Sequence, residues 1–221
     1  SRIVSDGIHC VVIQFQFAFF HTVDMQQFLQ RLRQSGVRSL VILHSTPDSQ
    51  DSVVRMSEAL GSCDRVLVHT RNDVDRLRSM GAANNLTDVP HGAPFRKFRS
   101  KAEQRERLGL NSYDIIIGSY GFLLPHKGIR ELIRALPLIL ERHPRVLLLL
   151  VNSVYPTPAS SQERYLCQQE IESSNLQRNV VIVDDFLDPE ESLFLLEACD
   201  LLVFPYQDSQ DSHSGAINVG L

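Results

Sequence analysis

Short apolar runs alternate with amphipathic segments along almost the whole chain, and this alternation constrains the fold more than any other feature. Strands buried on both faces are apolar throughout, whereas surface helices repeat apolar residues with a period of about 3.6. The runs with strand character are Val11–Phe15, Leu40–His44, Arg65–His69, Asp114–Gly118, Val146–Val151, Val180–Val183 and Leu201–Phe204. The helical segments between them are Asp24–Gln34, Asp51–Leu60, Asn72–Ser79, Ile129–Arg142, Gln162–Ser173 and Glu190–Ala198. This order predicts the α/β class, with doubly wound parallel sheets.

The alternation is interrupted once, near the middle of the chain. A turn rich in proline and glycine, Pro90–Pro94, leads into a charged segment, Arg96–Arg107, that contains no apolar strand. We therefore predict two Rossmann-like domains, at residues 1–95 and 113–221, joined by a linker at 96–112. One continuous sheet with a long basic loop is the alternative, although long structureless loops are uncommon inside compact domains.

Both predicted domains lack parts of a complete Rossmann-like fold. Leu221 falls only a few residues into the helix that Ser214 and Gly215 would begin. The first domain has no glycine-rich strand–loop–helix at its front. We therefore expect the chain to be a fragment of a longer protein.

Composition excludes several classes of protein. The 221 residues are 43% hydrophobic and 22% charged, and the net charge of −4 gives no general attraction for nucleic acid. The longest apolar run, Val146–Val151, is far shorter than the ~20 residues of a membrane span. We do not expect the first residues, Ser1–Gly7, to be a signal peptide, and the four cysteines form no CxxC pair. We predict a cytoplasmic protein with reduced thiols.

Two of the predicted strands end in residues suited to an anion. The strand at 114–118 leads to Gly121–Gly128, which contains Lys127 and precedes a helix. The strand at 201–204 leads to Asp211–Ala216, where a second helix begins. A helix start offers unpaired N–H groups and a partial positive charge, and a lysine adds a full charge. Meeting in one parallel sheet, these two strand ends would form a site for a diphosphate.

Seven short motifs, taken in order, resemble a known family of enzymes. They are Val12–Phe17, Val41–His44, Ser62–Thr70, Pro90–Gly92, Gly121–Gly128, Phe204–Gln207 and Asp211–Ala216. The set is similar to the retaining GT-B glycosyltransferases of the group 1 family. The resemblance extends from about Asp6 to Leu221 and depends on the order and spacing of the motifs together.

This resemblance implies a fold and a reaction. The fold would be two Rossmann-like domains of the GT-B type, both incomplete here, with the nucleotide-diphosphate sugar in the second domain and most of the acceptor site in the first. The reaction would move a hexose to a sugar or lipid-linked acceptor with retention and without a metal, as in polysaccharide biosynthesis. The nucleotide sugar is then a co-substrate, and no further cofactor is implied. In this family the leaving phosphate is thought to take the acceptor's proton, so we name no protein base.

The resemblance also assigns catalytic roles to three residues. Lys127 would stabilise the leaving diphosphate, Asp211 would contact sugar hydroxyls, and His44 would face the transferred sugar. Each has a simpler alternative: an exposed lysine at a helix start, an aspartate that caps the next helix, and a strand-end histidine bonded to backbone.

Further residues are predicted to surround the nucleotide. The backbone N–H groups before the last helix would hold the β-phosphate, and glycine there allows close approach. The segment at 184–188 would lie beside the base, judging by the strand order. The predicted nucleotide-binding residues are Gly121, Phe122, Phe186, Ser212, His213, Ser214 and Gly215.

The sequence departs from the family's pattern at three positions. Phe122 stands where arginine is common, Val219 stands where a second acid holds the ribose, and Asp211 is shorter than the usual glutamate. These changes leave open a truncated or degenerate GT-B module that binds a nucleotide or a partner without catalysis. A GT-B sugar epimerase is a third interpretation, with His213 and Asp211 as its acid–base pair.

Neither a metal site nor a firm membrane site is predicted. The histidines form no HxxxH or HxH pair, and there is no Asp-x-Asp dyad. A short basic cluster at Arg96–Arg99, followed by Lys101, could contact anionic lipid at the inner face of the membrane. A solvated linker suits so short a cluster better.

Overall fold

Two four-stranded parallel sheets form the framework of the chain. The computed structural model describes residues 2–15, 22–44, 57–81, 85–92, 99–207 and 215–220. The described residues form two compact units, one with residues 2–92 and the other with residues 99–207 and 215–220. Each unit contains one of the sheets, so the prediction of two α/β sheets is confirmed and the alternative of one continuous sheet is wrong.

The first unit has its strands in sequence order, β1-β2-β3-β4. The strands are β1 (Cys10–Phe15), β2 (Arg38–Leu43), β3 (Arg65–Val68) and β4 (Leu86–Asp88). The helices are α1 (Arg2–Ser5), α2 (Thr22–Gln34) and α3 (Arg71–Ser79), and residues 57–60 add a helical turn. Its core packs strand residues such as Phe15 and Val41 against Leu29 of α2 and Leu77 of α3. All strands are parallel, so β2, β3 and β4 present their carboxyl ends at one edge.

The second unit has the strand order β7-β6-β5-β8. The strands are β5 (Ile115–Phe122), β6 (Val146–Ser153), β7 (Val180–Val183) and β8 (Leu201–Leu202). The helices are α4 (Lys101–Arg107), α5 (Ile129–Leu140), α6 (Pro158–Ser173), α7 (Pro189–Leu196) and α8 (Gly215–Gly220). Alternate residues of β6 enter two different apolar clusters, for example Leu148 and Leu147. Strand β6 is therefore covered on both faces, as its unbroken apolar sequence predicts.

Local sequence signals explain where several helices begin. The side chain of Thr70 accepts a hydrogen bond from the backbone N–H of Asp73 at 3.1 Å and caps α3. Asp188 and Glu191 form a reciprocal capping box at the start of α7, where Pro189 occupies the first turn. Such caps satisfy N–H groups that have no partner inside the helix.

The charged segment after the domain break folds onto the second unit. Helix α4 lies within the predicted linker at 96–112. Nζ of Lys101 in this helix donates a hydrogen bond to Oδ1 of Asp200 at 3.0 Å. Arg105 also pairs with Asp200 and donates through Nε to the carbonyl of Ala198 at 3.0 Å. The backbone N–H of Ile116 donates to the same carboxylate at 2.8 Å, which ties α4 to the start of β5.

Several boundaries differ from the sequence predictions. Strand β5 continues to Phe122, so Gly121 lies within the strand and not in the loop after it. Strand β8 stops at Leu202, and sequence analysis missed both α1 and β4. Strand β4 is only Leu86–Asp88, which is too short to show an alternating pattern.

Three of the four cysteines, Cys63, Cys167 and Cys199, are buried. All four are free thiols in the described residues, and only Cys10 is exposed. Burial raises the pKa of Cys63 to about 11 and the pKa values of Cys167 and Cys199 to about 12. These three thiols are therefore protonated at neutral pH and pack as small apolar side chains. Among the described residues, no helix has both the length and the apolar character needed to cross a membrane.

Candidate active site

Strands β5 and β8 are parallel neighbours in the second unit, with Gly118 opposite Leu202, so the loops that follow them begin on the same side of the sheet. After β5 the chain forms a 3₁₀ turn, Pro125–Lys127, and then Gly128 with φ of 69°. After β8 it continues through residues 205–207, and the Gln207 N–H donates to the carbonyl of His126 at 2.8 Å. The two loops are thus joined directly at one edge of the sheet.

Gly128 is required for this approach of the two loops. A Cβ at this position would lie 2.0 Å from the carbonyl oxygen of Pro205, and the left-handed backbone conformation also favours glycine. The sequence motif Gly121–Gly128 therefore ends in a glycine because another backbone occupies the space of its side chain.

Lys127 is held against an aromatic ring. Its Nζ lies 4.1 Å from the ring centroid of Tyr206, which is a cation–π distance. The lysine is half-buried, so the alternative of a fully solvated helix-start lysine does not describe it. Tyr206 was not singled out in the sequence, although it lies in the Phe-Pro-Tyr motif after β8. The fold thus keeps one ammonium group at the joined strand ends.

The last helix begins beside the end of β5. Gly121 has φ of 125°, and a Cβ placed on it would lie 3.3 Å from the Cβ of Ala216 in α8. Gly215 is the first residue of that helix. Four predicted site residues, Asp211, Ser212, His213 and Ser214, lie outside the described residues, so their roles and the epimerase pair remain predictions.

Three aromatic side chains lie at the carboxyl ends of three adjacent strands, β5, β6 and β7, of the second sheet. The ring of Phe122 makes an edge contact with Tyr155 at 4.9 Å and stacks on Phe186 at 6.1 Å, with an interplanar angle of 13°. Phe186 is 80% exposed. The Ser153 hydroxyl donates to the carbonyl of Asp185 at 2.9 Å, which positions the loop that carries Phe186. We call Phe122, Tyr155 and Phe186 the aromatic cluster.

Two of the three departures from the family's pattern, Phe122 and Val219, make apolar contacts. Phe122, at the position where arginine is common, belongs to the aromatic cluster. Val219, at the position of the second acid, packs against the apolar core of the second unit. Arg130 does not replace the missing arginine, because its Nε bonds Glu163 of α6 at 2.8 Å and draws the side chain toward that helix.

His44 lies in the first unit, directly after β2. Its Nε2 is 2.5 Å from Oε1 of Gln14, and its Nδ1 is 3.2 Å from Nε2 of His69. Both ring nitrogens of His44 therefore bond side chains, and not the backbone that the simpler alternative expected. His91 joins them, with ring centroids 4.6 Å from His69 and 6.0 Å from His44. Burial, and then the two neighbouring rings, lower the pKa of His44.

The family called Glycosyl transferases group 1 matches residues 100–216, which is more than half of the 221-residue chain. The chain belongs to this family. A D-inositol 3-phosphate glycosyltransferase of Actinosynnema mirum is 28% identical over 133 residues, covering 58% of this chain and 32% of that protein. The predicted resemblance to the group 1 family is thereby confirmed.

Solved structures show the same fold at low sequence identity. Sucrose-phosphate synthase from Thermosynechococcus elongatus matches with a TM-score of 0.74 and 20% identity, covering 99% of this chain and 55% of that one. An Anabaena protein solved in complex with UDP and glucose matches with a TM-score of 0.66 and 17% identity, covering 88% of this chain and 52% of that one. The α/β fold of the GT-B type is confirmed. The chain spans about a third of the curated relative's length and about half of each solved chain.

Proposed function

We propose that this chain is part of a glycosyltransferase that moves a hexose from a nucleotide-diphosphate sugar to a sugar or lipid-linked acceptor, with retention and without a metal at the diphosphate. Membership of the group 1 family supports the transferase class. The Anabaena neighbour was solved with UDP and glucose, which supports a nucleotide-sugar donor. A location in the cytoplasm or at the inner membrane face remains a prediction, and most of the basic cluster lies outside the described residues.

The position of Lys127 is the observation that carries this proposal. Breaking the glycosidic bond leaves charge on a nucleoside diphosphate, and stabilising that charge is mainly electrostatic work. Lys127 lies where the ends of two adjacent parallel strands are joined, and ligands of open α/β sheets bind at such ends. Its ammonium group is held by Tyr206, so little side-chain freedom is lost when an anion binds.

The aromatic cluster is the proposed contact for the nucleoside. Phe186 is an exposed ring backed by Phe122, so one of its faces can take a stacked base. In this arrangement the base lies beyond the ends of β5–β7 and the diphosphate lies toward Lys127. For His44 and Asp211 we retain roles at the sugar, which the resemblance implies.

The test is calorimetric titration of the chain with UDP, GDP and ADP. We expect one nucleotide to bind best, and we expect Lys127→Ala to lose most of that affinity while Lys127→Arg retains part of it. Arg142→Ala removes one charge from an exposed residue of the same unit and serves as the control. Equal affinity in Lys127→Ala and the unchanged chain would remove the basis of the proposal.

Nucleotide binding without transfer is the second candidate function. It is favoured by the apolar contacts of Phe122 and Val219, which take the places of two polar contacts of the family. The two functions differ in turnover. A full-length protein containing this chain should consume a bound donor sugar in the presence of acceptor if it is a transferase. Tight nucleotide binding with no sugar released or transferred would support the binding module.

A further inference from the structure

Three histidines from distant parts of the sequence meet at the carboxyl edge of the first sheet. His44 follows β2, His69 follows β3, and His91 lies shortly after β4, so three adjacent parallel strands deliver one imidazole each. One ring nitrogen from each histidine lies within 4.8 Å of the others, and all three side chains are half-buried. Their separation in sequence explains why spacing rules such as HxH did not detect them.

The outer hydrogen bonds determine which nitrogens face inward. Nδ1 of His69 lies 3.2 Å from the carbonyl oxygen of Val89, and Nδ1 of His91 lies 3.1 Å from that of Gly92. A carbonyl oxygen only accepts, so these two nitrogens carry the N–H, and Nε2 holds the lone pair in each neutral ring. Nε2 of His44 likewise donates to Oε1 of Gln14, which leaves Nδ1 as its lone-pair nitrogen.

This pattern directs lone pairs toward each other. Nδ1 of His44 and Nε2 of His69 are 3.2 Å apart, and each carries the lone pair when the outer nitrogen of its ring carries the N–H. At this distance the two nitrogens either share a hydrogen bond, in the tautomer that places a proton between them, or bind one cation through both lone pairs. The cation can be a proton or a metal ion.

The distances suit a small transition metal ion. Imidazole nitrogens bind Zn²⁺ at about 2.0–2.1 Å, so two ligands at tetrahedral angles are about 3.3 Å apart. The 3.2 Å between the inner nitrogens of His44 and His69 matches that separation. Histidines that bind metals donate their other N–H to an oxygen, which fixes the ring and raises its basicity. All three histidines have such a bond in this cluster.

We propose that the first unit binds one Zn²⁺ ion through His44, His69 and His91. Three protein ligands leave the fourth tetrahedral position for water or an oxygen ligand. The ion would join the ends of three neighbouring strands and thereby stabilise the unit. The site would replace the contact with the sugar that the resemblance implies for His44, and it goes beyond the proposed function, which assigns the diphosphate charge to Lys127 of the other unit.

The test begins with the chain freed of metal by dialysis against a chelator. Zinc is then titrated in competition with a chromophoric chelator, and thermal unfolding is followed at several zinc concentrations. We expect one strongly bound zinc ion per chain and a Tm that rises with zinc, as for any ligand of the folded state. His69→Gln should lose this binding, and Gln14→Ala should weaken it by roughly 10–100-fold, as loss of a ligand's hydrogen-bond partner does.

Controls separate this site from ordinary surface binding. His9→Gln and His143→Gln remove exposed histidines outside the cluster, and Cys10→Ser removes the exposed thiol. All three should bind zinc like the unchanged chain. Cobalt(II) gives a measurement that needs no variant, because a tetrahedral nitrogen-rich site produces strong visible absorption bands. Equal zinc affinity in His69→Gln, or only the weak absorption of hydrated cobalt, would overturn the proposal and leave a hydrogen-bonded histidine cluster.

Discussion

The ammonium group of Lys127 lies 4.1 Å from the centre of the Tyr206 ring, and this contact joins the loop after β5 to the loop after β8. The two strands are adjacent and parallel, so the loops that carry Lys127 and Tyr206 begin at the same edge of the sheet. The ring fixes the direction of the ammonium group, and an ammonium group in a cation–π contact can also bind an anion. Substitutions at Tyr206 therefore test how the candidate site positions Lys127.

Two substitutions of Tyr206 distinguish the contribution of its ring to nucleotide binding from that of its hydroxyl group. Tyr206→Phe keeps the ring face and should bind the preferred nucleoside diphosphate nearly as well as the unchanged chain. Tyr206→Leu removes the cation–π contact, which is worth about 0.5–2 kcal/mol, so affinity should fall by roughly 2–30-fold. Calorimetric titration measures both. If Tyr206→Leu binds as tightly as Tyr206→Phe, the ring does not position Lys127 for the anion.

Gly128 and Gly109 provide a matched pair for testing the close approach of the loops. Both glycines have nearly the same backbone, with φ of 69° and 68°, but only Gly128 has another backbone in the place of its side chain. Gly109→Ala should cost about 1 kcal/mol, the usual cost of a side chain in this conformation. Gly128→Ala adds a clash with Pro205 and should cost at least about 2 kcal/mol more. Urea unfolding gives both values, and equal costs would contradict the observed contact.

Asp200 should make the stability of the second unit depend on pH. Burial by itself would raise the pKa of Asp200, but hydrogen bonds from the Ile116 N–H, Lys101 and Arg105 outweigh it and lower the pKa. A carboxyl whose pKa is lower when folded stabilises the protein above its unfolded pKa, and this stabilisation is lost as pH falls through the folded pKa. Asp200→Asn should therefore cost about 1–2 kcal/mol at neutral pH, since the carboxylate is partly exposed.

The measurement is the difference in unfolding free energy between the unchanged chain and Asp200→Asn from pH 7 to pH 3. The difference should be constant near neutrality and shrink below about pH 4, the ordinary aspartate pKa. Asp114→Asn provides the control, because Asp114 pairs with Arg145 at the exposed surface and should change stability little. A difference that stays constant down to pH 3 would contradict the role given to the Asp200 carboxylate.

The sequence predicted the strands and helices well where their apolar patterns are long. Strand β6 and helix α5 have enough apolar residues to be recognised without tertiary information. Strand β4 has three residues, and its place in the sheet comes from pairing with β3, which no local pattern reveals. The end of β5 was placed too early because the predicted strand was ended at Gly118 and Gly121 was assigned to the loop, although β5 continues to Phe122.

The candidate sites were predictable only to the extent that motifs are local. Lys127 and Gly128 were found because one short segment contains them. The cluster of His44, His69 and His91 was missed because three separate strands bring these residues together. Phe186 was predicted to lie near the base from the order of the strands alone. Its stacking on Phe122 depends on the observed strand order β7-β6-β5. Contacts that depend on strand order need the fold before they can be seen.

The aromatic cluster should recognise the base while Lys127 recognises the phosphates, and two variants with two ligands can separate these roles. A base stacked on an aromatic ring contributes about 1–3 kcal/mol, so Phe186→Ala should weaken binding of the preferred nucleoside diphosphate by that amount. Pyrophosphate has no base, and its binding should be unchanged in Phe186→Ala. Lys127→Ala should weaken both ligands. Tyr165→Ala removes an exposed ring of α6 and controls for general loss of aromatic surface. Equal losses for the nucleotide and for pyrophosphate in Phe186→Ala would show that this ring does not contact a base.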